Sequence, residues 1–154
     1  MRRSRLFRKE QRPDDEGSAS LEFITVGVLL LVPLVYLVLT MAAIQAGALA
    51  VEGAARQAAR VFVQAQSVPA AHAAAARAVE FALADYGLTE GESVGISCHP
   101  NPGDCLARQG TVTVSVGVRV PLPLVPPALL GDFPLSVPLE ASATQQVSRY
   151  WGAR

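Results

Sequence analysis

Lysine is almost missing from this 154-residue chain: Lys9 is the only one, and arginine carries the rest of the fixed positive charge. Basic and acidic residues, 13 of each, cancel, so no net field draws nucleic acid or acidic substrates. Beyond the first dozen residues no basic–aromatic patch occurs, which removes the usual footprint of a nucleic-acid binder. Histidine is equally scarce, with only His72 and His99. His72 lies in an alanine run and reads as a solvent-facing helix residue. There is no G-x-S-x-G and no phosphate-binding glycine loop. Glu80 and Asp85 are not at one-turn spacing, so paired carboxylate chemistry has no support. These absences argue against an enzyme, and nothing in the chain calls for a cofactor.

Cysteine is limited to Cys98 and Cys105. They bracket a turn-rich loop, Cys98-His99-Pro100-Asn101-Pro102-Gly103-Asp104-Cys105. A metal reading would recruit both thiols, His99 and Asp104 or His72, but the spacing matches no common zinc pattern. It is also wrong for a C-x-x-C redox pair. If this part of the chain lies outside the cytoplasm, a disulfide is the default.

What the chain does have is one long apolar run. Phe23 to Ile44, FITVGVLLLVPLVYLVLTMAAI, carries no charge. As a helix it covers roughly 30 Å, the thickness of a hydrocarbon core. Pro33 near its middle removes a backbone donor and predicts a kink. Arg2, Arg3, Arg5, Arg8, Lys9 and Arg12 precede the run, and the next basic residues are Arg56 and Arg60. This asymmetry predicts a cell-membrane protein with a single span, a cytoplasmic N-terminus and an extracytoplasmic C-terminal part. A cleaved signal peptide is the alternative, with Ala48-Leu49-Ala50 as its A-x-A site. The apolar run is longer than the roughly 7–15 residues of such peptides.

The helical pattern continues beyond Ile44 to Gln66. Ala46, Ala50, Ala54 and Ala58 recur every four residues, with Ala43 and Gly47 extending the small-residue stripe toward the membrane. Such a stripe lets helix backbones approach closely, although alanine is also simply a good helix former. Glu52 and Arg56, one turn apart, can pair on the opposite side. Val68-Pro69 predicts a break, Ala70 to Tyr86 a second helix, and Gly87 its stop. The period then changes to two. Val112, Val114, Val116, Val118 and Val120 alternate with Thr111, Thr113, Ser115, Gly117 and Arg119, the mark of a half-buried strand. Leu135 to Ala143 alternates likewise, with Pro138 pointing to an edge strand. Val94, Ile96 and Cys98 suggest a third. The fold class is therefore α+β: a long N-terminal helix, a second helix and a small antiparallel sheet of about three strands, with helix covering one face. Division is expected into a leader (1–17), a transmembrane and extended helix (18–67) and an extracytoplasmic domain (68–154). The apolar, Pro-rich connection 121–134 is expected to pack on its own domain, with docking on a partner or the membrane surface as the alternative.

The most informative residues lie where the polar tail meets the apolar run: Glu16-Gly17-Ser18-Ala19-Ser20-Leu21-Glu22-Phe23-Ile24. A carboxylate at a membrane boundary is costly, although less so than the roughly 2.5–3.5 kcal/mol of a charge at the bilayer centre. A cut after Gly17 would give Ser18 a free amine, with a reference pKa of roughly 7.7–8. Glu22, one helical turn on, could neutralise that amine in its own chain or in a neighbouring one.

These features resemble the type IV pilin superfamily: a basic leader, a Gly17–Ser18 junction, and glutamate at the fifth position after it. The stretch GSASLEFITVGVLLLVPLVYLVL, the following AVEGAARQAARVFVQA, the later PLPLVPPALLG and Ser148-Arg149-Tyr150 look most like the TadE-like pilus assembly proteins of tight-adherence (Flp) systems, in their actinobacterial form. The resemblance is strongest over about residues 17–66. It implies a pilin-like fold and a minor pilin or pseudopilin whose leader is removed by a prepilin peptidase. The implied partners are that peptidase, other pilin or pseudopilin subunits, the Tad assembly platform and the bilayer. Glu22 would set register during assembly. Asp14, Asp15 and Glu16 depart from the pattern, because the residues just before the junction are acidic. An unprocessed, membrane-anchored scaffold or binding module is the alternative.

Overall fold

A computed structural model describes residues 15–88, 92–124 and 135–152, with side chains described from residue 20 onward. The order of elements is α1 (Asp15–Gln64), α2 (Val68–Ala84), β1 (Ser93–His99), β2 (Thr111–Pro121) and β3 (Ser136–Gln146). This is the α+β arrangement expected from the sequence: a long apolar helix, a second helix and a three-stranded antiparallel sheet. The basic tail, residues 1–14, and most of the Pro-rich connection, 125–134, lie outside the described residues.

The chain forms two compact units, Met1–Val38 and Leu39–Arg154. The division falls within α1. The reason is packing: Ala50, Val51, Ala54, Ala55, Ala58, Ala59 and Phe62 of α1 are all buried in the core of the second unit. In the first unit α1 presents its apolar side chains outward, including Leu21, Phe23, Leu29, Leu30 and Leu37. The helix continues through Pro33, which can donate no hydrogen bond to the carbonyl four residues back.

In the second unit, α1 and α2 are joined by a short turn. Ser67 caps α2, its hydroxyl accepting from the Ala70 N–H at 3.4 Å. Pro69 sits in the first turn of α2, where its missing donor costs nothing, so the helix starts at Val68 and not beyond the proline. At the other end Gly87 takes φ +69°. The Gly87 N–H then reaches Ala84 O at 2.9 Å and the Leu88 N–H reaches Leu83 O at 3.0 Å, the paired bonds of a Schellman stop.

The sheet has the order β1-β2-β3. Ile96 pairs with Val114, and Val114 with Ala143. Partners in register share a face, so Val94, Ile96 and Cys98 of β1 and Leu139, Ala141 and Ala143 of β3 flank the valines of β2. Val112, Val114, Val116, Val118 and Val120 are buried. They join Ala71, Ala75, Val79 and Leu83 of α2 and the buried residues of α1 in one core. Each buried valine contributes on the order of 1.5 kcal/mol or more. The opposite face is polar, and Thr113 and Thr144 bridge adjacent strands through their hydroxyls at 2.8 Å. Pro138 lies on the edge strand β3, opposite Arg119, where its absent N–H leaves no rung unmade.

Candidate functional site

The candidate site is the start of the apolar helix. The described part of α1 starts at Asp15, so the Gly17–Ser18 junction lies in helical backbone. Ser18 and Glu22 are four residues apart in continuous helix and therefore share a face. Glu22 is exposed, makes no ion pair among the described residues, and is followed at once by the apolar run. One turn further on, the Thr25 hydroxyl donates to Leu21 O at 2.7 Å, which satisfies the hydroxyl inside the helix.

From Ser20 onward α1 is long and apolar enough to cross a membrane, and the apolar window is not buried by the rest of the chain. The A-x-A match, Ala48-Leu49-Ala50, falls in the interior of α1. Ala50 is 2% exposed and the following Val51 is 1% exposed. A cut there would remove Gly47 and Ala50 from the core, which the helix–sheet packing opposes.

The small-residue stripe lands inside the chain's own core. Ala50, Ala54 and Ala58 are buried, Gly47 is buried, and Ala43 and Ala46 are half-buried. Their small size lets α1 lie close on the sheet: a Cβ built on Gly47 would sit 2.5 Å from Val120 Cγ2 and 3.1 Å from Leu139 Cδ1. Glu52 and Arg56 pair on the solvent side at 2.6 Å, an exposed contact of little energetic weight.

Cys98 and Cys105 form a disulfide, with Cα atoms 5.1 Å apart. It closes the loop between β1 and β2. His99 is exposed at the end of β1, paired with Thr111, and the His72 and Phe62 rings meet in a T-shape at a centroid distance of 5.2 Å. Among the described residues no three His, Cys, Asp or Glu side chains converge as metal ligands. Trp151 was not singled out by sequence. Its indole N–H donates to Ala65 O at 3.0 Å, and Arg108 Nε donates to Trp151 O at 3.0 Å. The C-terminal segment is thereby tied to the α1–α2 turn. A lone tryptophan near a chain end was the only available signal.

No protein-family model matches the chain, and no characterised protein or solved structure matches it.

Proposed function

We propose that this chain is a minor pilin or pseudopilin-like component of a tight-adherence (Flp-type) pilus or related secretion assembly. Its apolar helix anchors it in the cell membrane, the basic tail stays in the cytoplasm, and the globular unit stands outside. A prepilin peptidase removes the leader after Gly17. The mature chain then joins other pilin or pseudopilin subunits on the assembly platform. One observation carries this reading: Glu22 stands exposed at the mouth of an uninterrupted apolar helix, on the same helical face as Ser18 and one turn from it. A carboxylate placed there gains a partner when a new amine appears at Ser18. The disulfide fits an extracytoplasmic location for the globular unit.

The second reading, an unprocessed single-pass scaffold or binding module of the envelope, is favoured by a separate observation. Helix α1 runs without a break through the junction from Asp15, whereas peptidases act on extended segments. The N-terminal residue of the membrane-inserted protein distinguishes the two readings. Mass spectrometry of that terminus in cells with an active prepilin peptidase should find Ser18. Recovery of Met1 would support the scaffold.

A further inference from the structure

We infer that the end of the globular unit from which the apolar part of α1 emerges is a bilayer-contacting rim. It is formed by Leu122, Leu124 and Leu135, with Tyr86 toward the same end, and it seats in the headgroup region of the lipid. The inference rests on the membrane-anchor part of the proposed function and adds a second contact with the same bilayer.

The argument starts inside the second unit. Gly47 of α1 lies against Val120 and Leu139, and Ala43 packs on the edge of the same core. The apolar run is read as ending at Ile44, so the sheet reaches alongside the last residues of that run. Beyond Val120 the β2–β3 ladder gains one more rung, with the Leu122 N–H donating to Leu135 O at 3.1 Å. At about 3.3 Å per strand residue, Leu122 lies roughly 7 Å past Val120. At about 1.5 Å per helix residue, the same descent from Gly47 reaches Ala42 or Ala43. The tip of the sheet therefore stands level with the outer turn of the span.

The side chains at this tip are apolar and exposed. Leu124 is 72% exposed and Leu135 is 52% exposed. Phe62 and His72 meet beside the short turn at Ser67, and the chain leaves α2 for β1, whose Ser93 pairs with Gly117 toward this tip, so the connection carrying Tyr86, 52% exposed, leads to the same end of the unit. Tyrosine is a residue of the membrane–water interface, one end apolar and the other wet. The rim continues the lipid-facing surface of α1, where Leu39 and Met41 are exposed. That continuity makes lipid the occupant. Among the described residues, the acidic Asp85, Glu92 and Glu140 and the basic Arg119 lie toward this end. Partition is therefore apolar, with no gain from anionic headgroups.

The test uses the full chain reconstituted in phosphatidylcholine vesicles with brominated acyl chains. The only native tryptophan, Trp151, is held at the far end by Ala65 and serves as an internal reference. Leu124→Trp should add a blue-shifted emission that brominated lipid quenches, while the wild-type emission is unchanged. Leu135→Trp provides a second position if the first variant fails to fold. Replacing part of the lipid with phosphatidylglycerol should leave the quenching unaltered, and a requirement for it would overturn the apolar rim. Val32→Trp reports the span. If it is quenched and both rim positions are not, the rim is overturned and the anchor stands. A blue-shifted but unquenched rim indole would mean that protein covers it, which also overturns the inference. An unquenched Val32→Trp would remove the anchor itself.

Discussion

Gly47 and Val120 meet so closely that a single added carbon on the glycine would lie 2.5 Å from the valine Cγ2. Valine is stiff about χ1, so Val120 cannot swing aside without disturbing the β2 face. Gly53, six residues along the same helix, has nothing within 4 Å of a built Cβ. The two glycines should therefore respond in opposite directions. Gly47→Val should lower stability by about 1–3 kcal/mol through overpacking. Gly53→Ala should raise it by about 0.5–1 kcal/mol through helix propensity. Denaturant unfolding of the detergent-solubilised chain reads both. Equal effects of one sign would show that α1 is not seated on the sheet.

The disulfide predicts a local effect. Closing the eight residues from Cys98 to Cys105 contributes about 2.5 kcal/mol in the chain-entropy treatment. Cys98→Ala with Cys105→Ala should lower stability by up to that amount. It should also speed amide exchange at the end of β1, where Cys98 pairs with Val112, more than in β2 and β3. Uniform acceleration across all three strands would mean that the loop and the core open together.

The β2 strand was legible because its period-two pattern is unbroken and its apolar members are all valine. The Schellman stop was equally legible, since only a residue such as Gly87 fits positive φ without strain. The buried face of α2 was not. Ala71, Ala75, Val79 and Leu83 form it, yet alanine gives no contrast between faces. The larger Phe81 and Tyr86 stay exposed. The destination of the small-residue stripe was also hidden. Small residues at four-residue spacing suit a neighbouring helix or a sheet equally well, and only the position of Val120 shows that the chain's own sheet takes Gly47. At the candidate site, the Gly17–Ser18–Glu22 spacing was readable directly. The helical backbone through Gly17 and Ser18 was not, because glycine and serine weaken the local signal.

Trp151 should behave as a latch. Its indole N–H reaches across the fold to Ala65 O at 3.0 Å, at the turn between α1 and α2. Trp151→Phe keeps most of the apolar contact and leaves the carbonyl unpaired, at a cost of about 1 kcal/mol. Exchange at the Ala65 to Ser67 turn should increase in the variant. No change there would mean that the hydrogen bond is not formed in solution.

If the leader is removed after Gly17 as proposed, variants at Glu22 separate charge from shape in its pairing with the new Ser18 amine. A free amine at Ser18 has a reference pKa of roughly 7.7–8 and is mostly cationic at neutral pH. A carboxylate one turn away neutralises it, whereas an amide of the same size accepts a hydrogen bond without cancelling the charge. Glu22→Gln should therefore resemble Glu22→Ala: both variants lose the leader normally, yet both yield less sheared fibre than wild type. Gly17→Ala should act earlier, leaving the basic tail attached and lowering fibre yield for lack of an amine. The two measurements, N-terminal mass and fibre recovery, must be read together. Wild-type fibre yield from Glu22→Gln, with the leader removed, would show that charge compensation plays no part. Normal fibre from a Gly17→Ala chain that keeps its arginines would remove the need for the amine.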